Sequence, residues 1–366
     1  MTTLSDKSNL LKVDLLRMAK DMKPESMRRD LRFLVDLYFN LQKVRIKMGN
    51  QIKAIERLER GESLVLTRTL FKEIDELEEV VQRTLPALLK HDKTSQWAMA
   101  QLGVQATLAA PFRAYIDLNR APTAGHILRF AGLDPTNRWV KSEEAKAMVK
   151  EVKEEHPEAA EDIEVLIAAC SIRVNRKPDR LFGSAMFYEK FEDAKAKVPT
   201  EANVIKGISQ RPWNARLKTA CWKLGDQFVR NHTKGDRCFY GAIYQRHKML
   251  LIKRNLSGGF KELADKTLEE RPRMNARDKK IYKDGKIPPG RLDYQARRHA
   301  VKIFLHHWHW LAYVEKFKKD PPAPYVNGIL GHAHYIAPPP PSLDSIGVPK
   351  LRLLKPEKKP SKKKGS

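Results

Sequence analysis

The chain has 366 residues, with 70 lysines and arginines against 44 aspartates and glutamates, a formal charge of +26 and a pI near 9.9. That length suits two or three domains with a buried core, and the 42% hydrophobic content argues against a wholly disordered chain. It has no run of about eighteen apolar residues, Asp6, Lys7 and Asp14 break up any secretory leader, and Cys170, Cys221 and Cys238 are too scattered for a disulfide framework or a cysteine zinc site. A cytoplasmic protein with no membrane association is therefore expected.

Residues 1–95 read as an N-terminal helix followed by a coiled-coil hairpin over about 22–93. Leu34, Leu37, Leu41, Val44, Met48, Gln51, Ile55 and Leu58 fill heptad positions; after Gly61 and Ser63 the pattern resumes with Leu70, Ile74, Leu77, Val81 and Leu88. Such a hairpin predicts a homo-oligomer, with Gln51 in the seam as a residue that fixes register.

Residues 96–140 read as two apolar helical stretches joined at Leu102-Gly103-Val104. A glycine there lets backbone N–H groups approach a phosphate, as in a helix–hairpin–helix; a tight core turn is the other reading. Residues 141–200 form an acidic helical insertion, with nine acids against four lysines over 141–164.

Residues 201–320 form a basic helical core carrying 28 Lys/Arg against 12 Asp/Glu, the electrostatic footprint of a polyanion partner. A helix is predicted over 211–231, with Pro212 in its first turn and an apolar face of Trp213, Leu217, Ala220, Leu224 and Phe228. Arg216, Lys223 and Arg230, seven apart, make a cationic stripe fit to follow a phosphate backbone, with Arg211 and Lys218 beside it.

The stretch 255–292 reads as loop or short helix, and a long helix follows from Tyr294 to about Lys318. Its buried side is Ala300, Phe304, His307 and Leu311, and its polar side Arg298, Lys302, His309 and Lys316, with Arg297 adjacent. Residues 321–366 are a Pro/Lys-rich tail. His306, His307, His309, His332 and His334 crowd this end; they stand either as metal ligands or, for His307, as a hydrogen-bonded core residue. Trp308, Trp310 and Tyr313 can stack bases or fill a core. No metal site is assigned, and Mg²⁺ enters only as the ion a cleavage reaction would be given. Ser142 and Ser209 are either nucleophiles or helix caps.

Three pieces in order carry a family resemblance: Leu102-Gly103-Val104 followed by HILRFAGLDP (126–135), then ISQRPWNARLKTACWKLGDQF (208–228), then ARRHAVKIFLHHWHWLAY (296–313). Together they resemble the C-terminal transposase domain of the DEDD-type, bridge-RNA-guided insertion-sequence transposases, and the upstream coiled coil sits where that family places one. The resemblance implies an all-α domain that binds DNA, acts in transposition or recombination, attacks a DNA phosphate through a serine, and pairs with a guide-like non-coding RNA. The chain departs from the pattern in three ways, one being Arg211-Pro212-Trp213-Asn214 where the family has Arg-Gly-Asn. It holds no RuvC-like acidic half before the coiled coil, and KVPTEANVIKGI (197–208) places no serine in register with the family's catalytic one. The alternative is a non-catalytic architectural or RNA-binding protein derived from such a domain.

Overall fold

The computed structural model describes residues 17–19, 27–58, 64–136, 138–174, 200–322 and 336–339. All regular secondary structure among them is helical, so the all-α expectation holds. The helices are α1 (Met27–Arg57), α2 (Val65–Leu88), α3 (Lys93–Met99), α4 (Ala106–Tyr115), α5 (Ala124–Phe130), α6 (Ser142–Glu155), α7 (Glu158–Glu161) and α8 (Ile163–Arg173). They continue as α9 (Glu201–Ser209), α10 (Ala215–Arg230), α11 (Phe239–Leu256), α12 (Lys261–Glu270), α13 (Ala276–Lys283) and α14 (Pro289–Phe317). The chain divides into two compact units: Met1–Leu128 with Arg216–Ser366, and Arg129–Ala215.

The first unit is built on α14. Phe304 is its hub, with ring centroids of Trp97, Phe112, Tyr240 and Phe228 at 5.4, 5.6, 5.2 and 6.0 Å. Five aromatic side chains from α3, α4, α10, α11 and α14 thus share one core, in the tilted and stacked arrangements that ring quadrupoles favour. Trp308 joins them through Phe112, and Trp310 and Tyr313 are buried too, so all three aromatic residues serve packing. Gly225 lets α10 cross α14 closely; a Cβ there would lie 3.2 Å from Val301 Cγ2.

The start of α3 is held by two carboxylates. Asp92 accepts from the Ser95 amide at 2.9 Å, and Glu315 of α14 accepts from the Lys93 and Thr94 amides at 3.0 and 3.1 Å. These satisfy N–H groups that a helix start leaves orphaned.

α1 and α2 pack antiparallel, since Arg45 pairs with Glu78 at 2.7 Å while Glu56, farther along, pairs with Arg68 at 2.7 Å. The seam differs in part from the predicted heptad. Leu31, Val35 and Tyr38 are the buried positions of α1, whereas Val44, Gln51 and Leu58 are exposed. The seam also takes in Gln42, Arg45 and Gly49, where Phe71 sits 3.3 Å from a notional Cβ. Of the predicted row, Leu34, Leu37, Leu41, Met48 and Ile55 of α1 are half-buried and Val81 and Leu88 of α2 are buried, so the Arg45–Glu78 pair adds a polar row beside it. The connecting Gly61 and Ser63 lie outside the described residues.

The second unit has its own core: Val149 and Val152 of α6, Leu166 and Cys170 of α8, and Val204 and Ile208 of α9. The acidic stretch therefore belongs to a compact unit that also takes in residues 129–140 and 201–215. The helix predicted from 211 begins instead at Ala215. Pro212 has no N–H to give, and the Asn214 amide donates to Phe130 O at 2.9 Å, so this segment is held as a turn. Trp213 consequently belongs to the turn, while Leu217, Ala220, Leu224 and Phe228 are buried as expected.

Candidate nucleic-acid interface

Two members of the predicted cationic stripe on α10, Arg216 and Lys223, face protein. Arg216 pairs with Asp36 at 3.0 Å, donates to the Asp36 carbonyl at 2.9 Å and reaches Asn40 Oδ1 at 3.1 Å. Lys223 donates to Gln42 Oε1 and lies 4.9 Å from the Phe39 ring centroid; burial pulls its pKa below the usual lysine value. Both side chains clasp α1, whose Asp36 also accepts from the Tyr115 hydroxyl at 2.6 Å. Burial first, and then Asp36, push the Tyr115 phenol up. Seven-residue spacing identified one face correctly and could not say what covers it.

Arg297 is likewise engaged inside the fold, whereas Arg230, its side chain 70% exposed, pairs with Asp226 one turn back on its own helix. The two share Asp226, Arg230 at 2.8 Å and Arg297 at 3.4 Å, and Arg297 binds Asp293 at 2.6 Å. Asp293 in addition accepts from Tyr244 at 2.5 Å and Lys248 at 2.9 Å. Burial alone would raise this carboxyl, but the bonds from Lys248, Tyr244 and Arg297 outweigh it and hold it below the usual range. The network fixes α14 against α10 and α11. Arg298, one residue on, is exposed; Lys218 and Lys302 are half-buried.

Gly103 has φ +86° in the α3–α4 turn, a conformation that glycine adopts without strain. Its open side faces α10, where a Cβ would come 2.8 Å from Asn231 Nδ2 and 3.3 Å from Gln227 Cβ. The turn therefore uses glycine for close packing; Leu102 beside it is exposed.

A dense group of exposed cations lies where a loop or short helix was expected. Phe260, Ala264, Tyr282, Ile287 and Leu292 form a separate small core uniting α12, α13 and the start of α14. Buried Asn255 clamps it, exchanging two hydrogen bonds with the Ile287 backbone at 3.1 and 2.9 Å. Arg291 reaches Thr267 Oγ1 and Tyr282 OH at 3.1 and 3.2 Å. On this module Arg271, Arg273, Arg277, Lys279, Lys280, Lys283 and Lys286 are all exposed, and their side chains form no ion pair among the described residues. Of the two acids in that stretch, Asp278 is occupied at the helix start by Asn275. The density of charge over 271–286 was visible in the sequence, but its mounting on a packed module was not.

The serines lie in the second unit. Ser142 is the exposed first residue of α6, and Ser209 ends α9 with its hydroxyl donating to Lys206 O at 3.2 Å. Neither is hydrogen-bonded to a titratable side chain among the described residues. Arg211 lies over the Trp139 ring at 4.8 Å.

The histidines are core groups. His307 engages the Tyr240 hydroxyl through Nδ1 and the Ile336 carbonyl through Nε2, each at 2.7 Å. A neutral ring that donates from Nε2 and accepts at Nδ1 satisfies both. His309, expected on the polar side, is buried because its Nε2 bonds to Ala121 O at 3.0 Å. Burial pushes His306 and His307 down to about 4. His332 and His334 lie outside the described residues, among which no group of three or more His, Cys, Asp or Glu is placed to hold a metal ion. No described helix is long and apolar enough to cross a membrane. Comparison of the chain with protein-family models, curated proteins and solved structures finds no match.

Proposed function

We propose that the chain is a transposase-like DNA-binding protein that acts in DNA transposition or recombination, gripping the DNA backbone on the cations of the α12–α13 module. The observation that carries this reading is the set of seven exposed cations over 271–286, free of ion pairs among the described residues and mounted on a packed scaffold. Cations already neutralised by carboxylates have little to offer a phosphate. Unpaired ones release condensed counterions when they bind, and that release drives association. The ordered resemblance of three segments to a transposase domain supports the choice of DNA. Self-association through α1 and α2, and a guide-like RNA as second partner, belong to the same reading.

The test is duplex-DNA affinity measured across salt concentration. The combined variant Arg273→Gln, Arg277→Gln, Lys280→Gln is expected to lower the log–log salt slope by about 0.9 for each phosphate that is no longer neutralised. An unchanged slope would remove the module from the interface. Incubation with supercoiled DNA and Mg²⁺ tests strand cleavage. A nick or covalent adduct that disappears in Ser142→Ala or Ser209→Ala identifies the nucleophile. Tight binding without either product supports the non-catalytic alternative, which the capping role of the Ser209 hydroxyl favours.

A further inference from the structure

The second unit carries a cluster that backbone gripping does not use. Trp139 is 40% exposed, whereas Trp97 and Trp308 of the first unit's core are fully buried. Its one polar atom is already satisfied, since the indole N–H donates to Ser209 O at 2.8 Å and so fixes the plane of the ring. The part that remains exposed is carbon surface of the ring. The Arg211 guanidinium lies 4.8 Å from the ring centroid, is exposed, and forms no ion pair among the described residues. Trp213 stands edge-on to Trp139, with centroids 6.3 Å apart and planes at 77°. The turn is pinned by the Asn214 amide on Phe130 O, and Phe130 is itself 40% exposed. Lys141 and Lys206 of the same unit are exposed.

We infer that Trp139, Arg211 and Trp213 form a stacking site for an unpaired nucleobase, with Arg211 also meeting the adjoining phosphate. A rigidly held indole with free π surface suits any base, because every base has a π face, and an arginine on the same ring adds cation–π attraction and a charge for the backbone. Bases stacked inside a duplex present no such face, so the ligand is a single strand, a loop or an extruded nucleotide. A hydrophobic protein segment is the weaker fit, because it leaves the guanidinium charge without a counterpart. The inference rests on the nucleic-acid reading above and assigns a second, separate element of recognition.

The full chain is titrated with a labelled single-stranded oligonucleotide, with the same strand carrying consecutive abasic sites, and with duplex DNA. Trp139→Ala is expected to weaken single-strand binding about tenfold, the size of one base–aromatic stack, and to leave abasic-strand and duplex affinities unchanged. Arg211→Lys, which keeps the charge but loses the planar group, is expected to show a smaller loss confined to the same ligand. Bromodeoxyuridine photocrosslinking of the unaltered protein, which does not depend on the variants folding, is expected to label Trp139 or Trp213. Equal losses on all three ligands, no loss on the single strand (the outcome if the cluster docks a protein), or crosslinks confined to 271–286 would each overturn the inference. Those outcomes leave duplex binding by the unaltered chain intact, whereas failure of the broader reading abolishes it.

Discussion

At the scale of single residues, the functional-looking groups divide by what already satisfies them. His307 has both ring nitrogens bonded in the core, one to Tyr240 and one to the Ile336 carbonyl. Tyr240→Phe is expected to cost about 1–2 kcal/mol in urea denaturation, because it strands Nδ1 without a donor. Burial holds His306 and His307 near a pKa of about 4. Folded imidazoles therefore stay neutral where unfolded ones, near 6.5, take up protons. The unfolded state binds more protons in that window, so stability is full above about pH 6.5 and declines as pH falls toward 4. Thermal melts across that range are expected to show the decline, and His307→Gln to make it shallower. Gly103→Ala is expected to cost about 1–2 kcal/mol, because an L-residue at φ +86° is strained and its Cβ meets Asn231. The need for glycine was legible in the sequence. That its open side meets α10 was not, because Gln227 and Asn231 lie over a hundred residues away along the chain.

At the scale of elements, periodicity located helices and buried faces well and contacts poorly. The long α14, the apolar side of α10 and the two long N-terminal helices all follow from spacing. Two elements were misread because their anchors are distant. The start of α10 is displaced by the Asn214–Phe130 bond, and the α1–α2 contact takes in the polar Arg45–Glu78 pair beside the predicted apolar row. Arg45→Ala is expected to destabilise the chain by about 2 kcal/mol, since it leaves a buried carboxylate without its partner. Arg216→Ala is expected to loosen α1 and lower the denaturation midpoint while leaving the salt slope of DNA binding unchanged, because this arginine is spent on Asp36 and Asn40. The α1–α2 pair leaves Val44 of α1, the adjoining Leu58, and Val65, Leu66 and Leu70 of α2 exposed. Proposed self-association would bury them, so Leu66→Glu with Leu70→Glu is expected to reduce the mass seen by sedimentation. An unchanged mass would detach oligomerisation from this pair.

At the scale of the molecule, the charge excess is partitioned more finely than composition reveals. Within 201–320 much of the strongest-looking stripe is internal: Arg216 and Lys223 tie α10 to α1 and Arg297 ties α14 to Asp226 of α10, while Arg230 pairs within α10 and stays exposed. A dense share of the exposed cations sits on the α12–α13 module, which has its own small core. Net charge pointed to a polyanion; only the packing separates cations that build the fold from cations left for a ligand. The salt dependence of duplex-DNA binding tests that division most directly. The proposed function predicts an affinity that falls steeply with salt, with a slope reduced by the Arg273/Arg277/Lys280 variant and unmoved by Arg216→Ala. A flat salt response, or a slope that follows Arg216 and ignores the module, would contradict it.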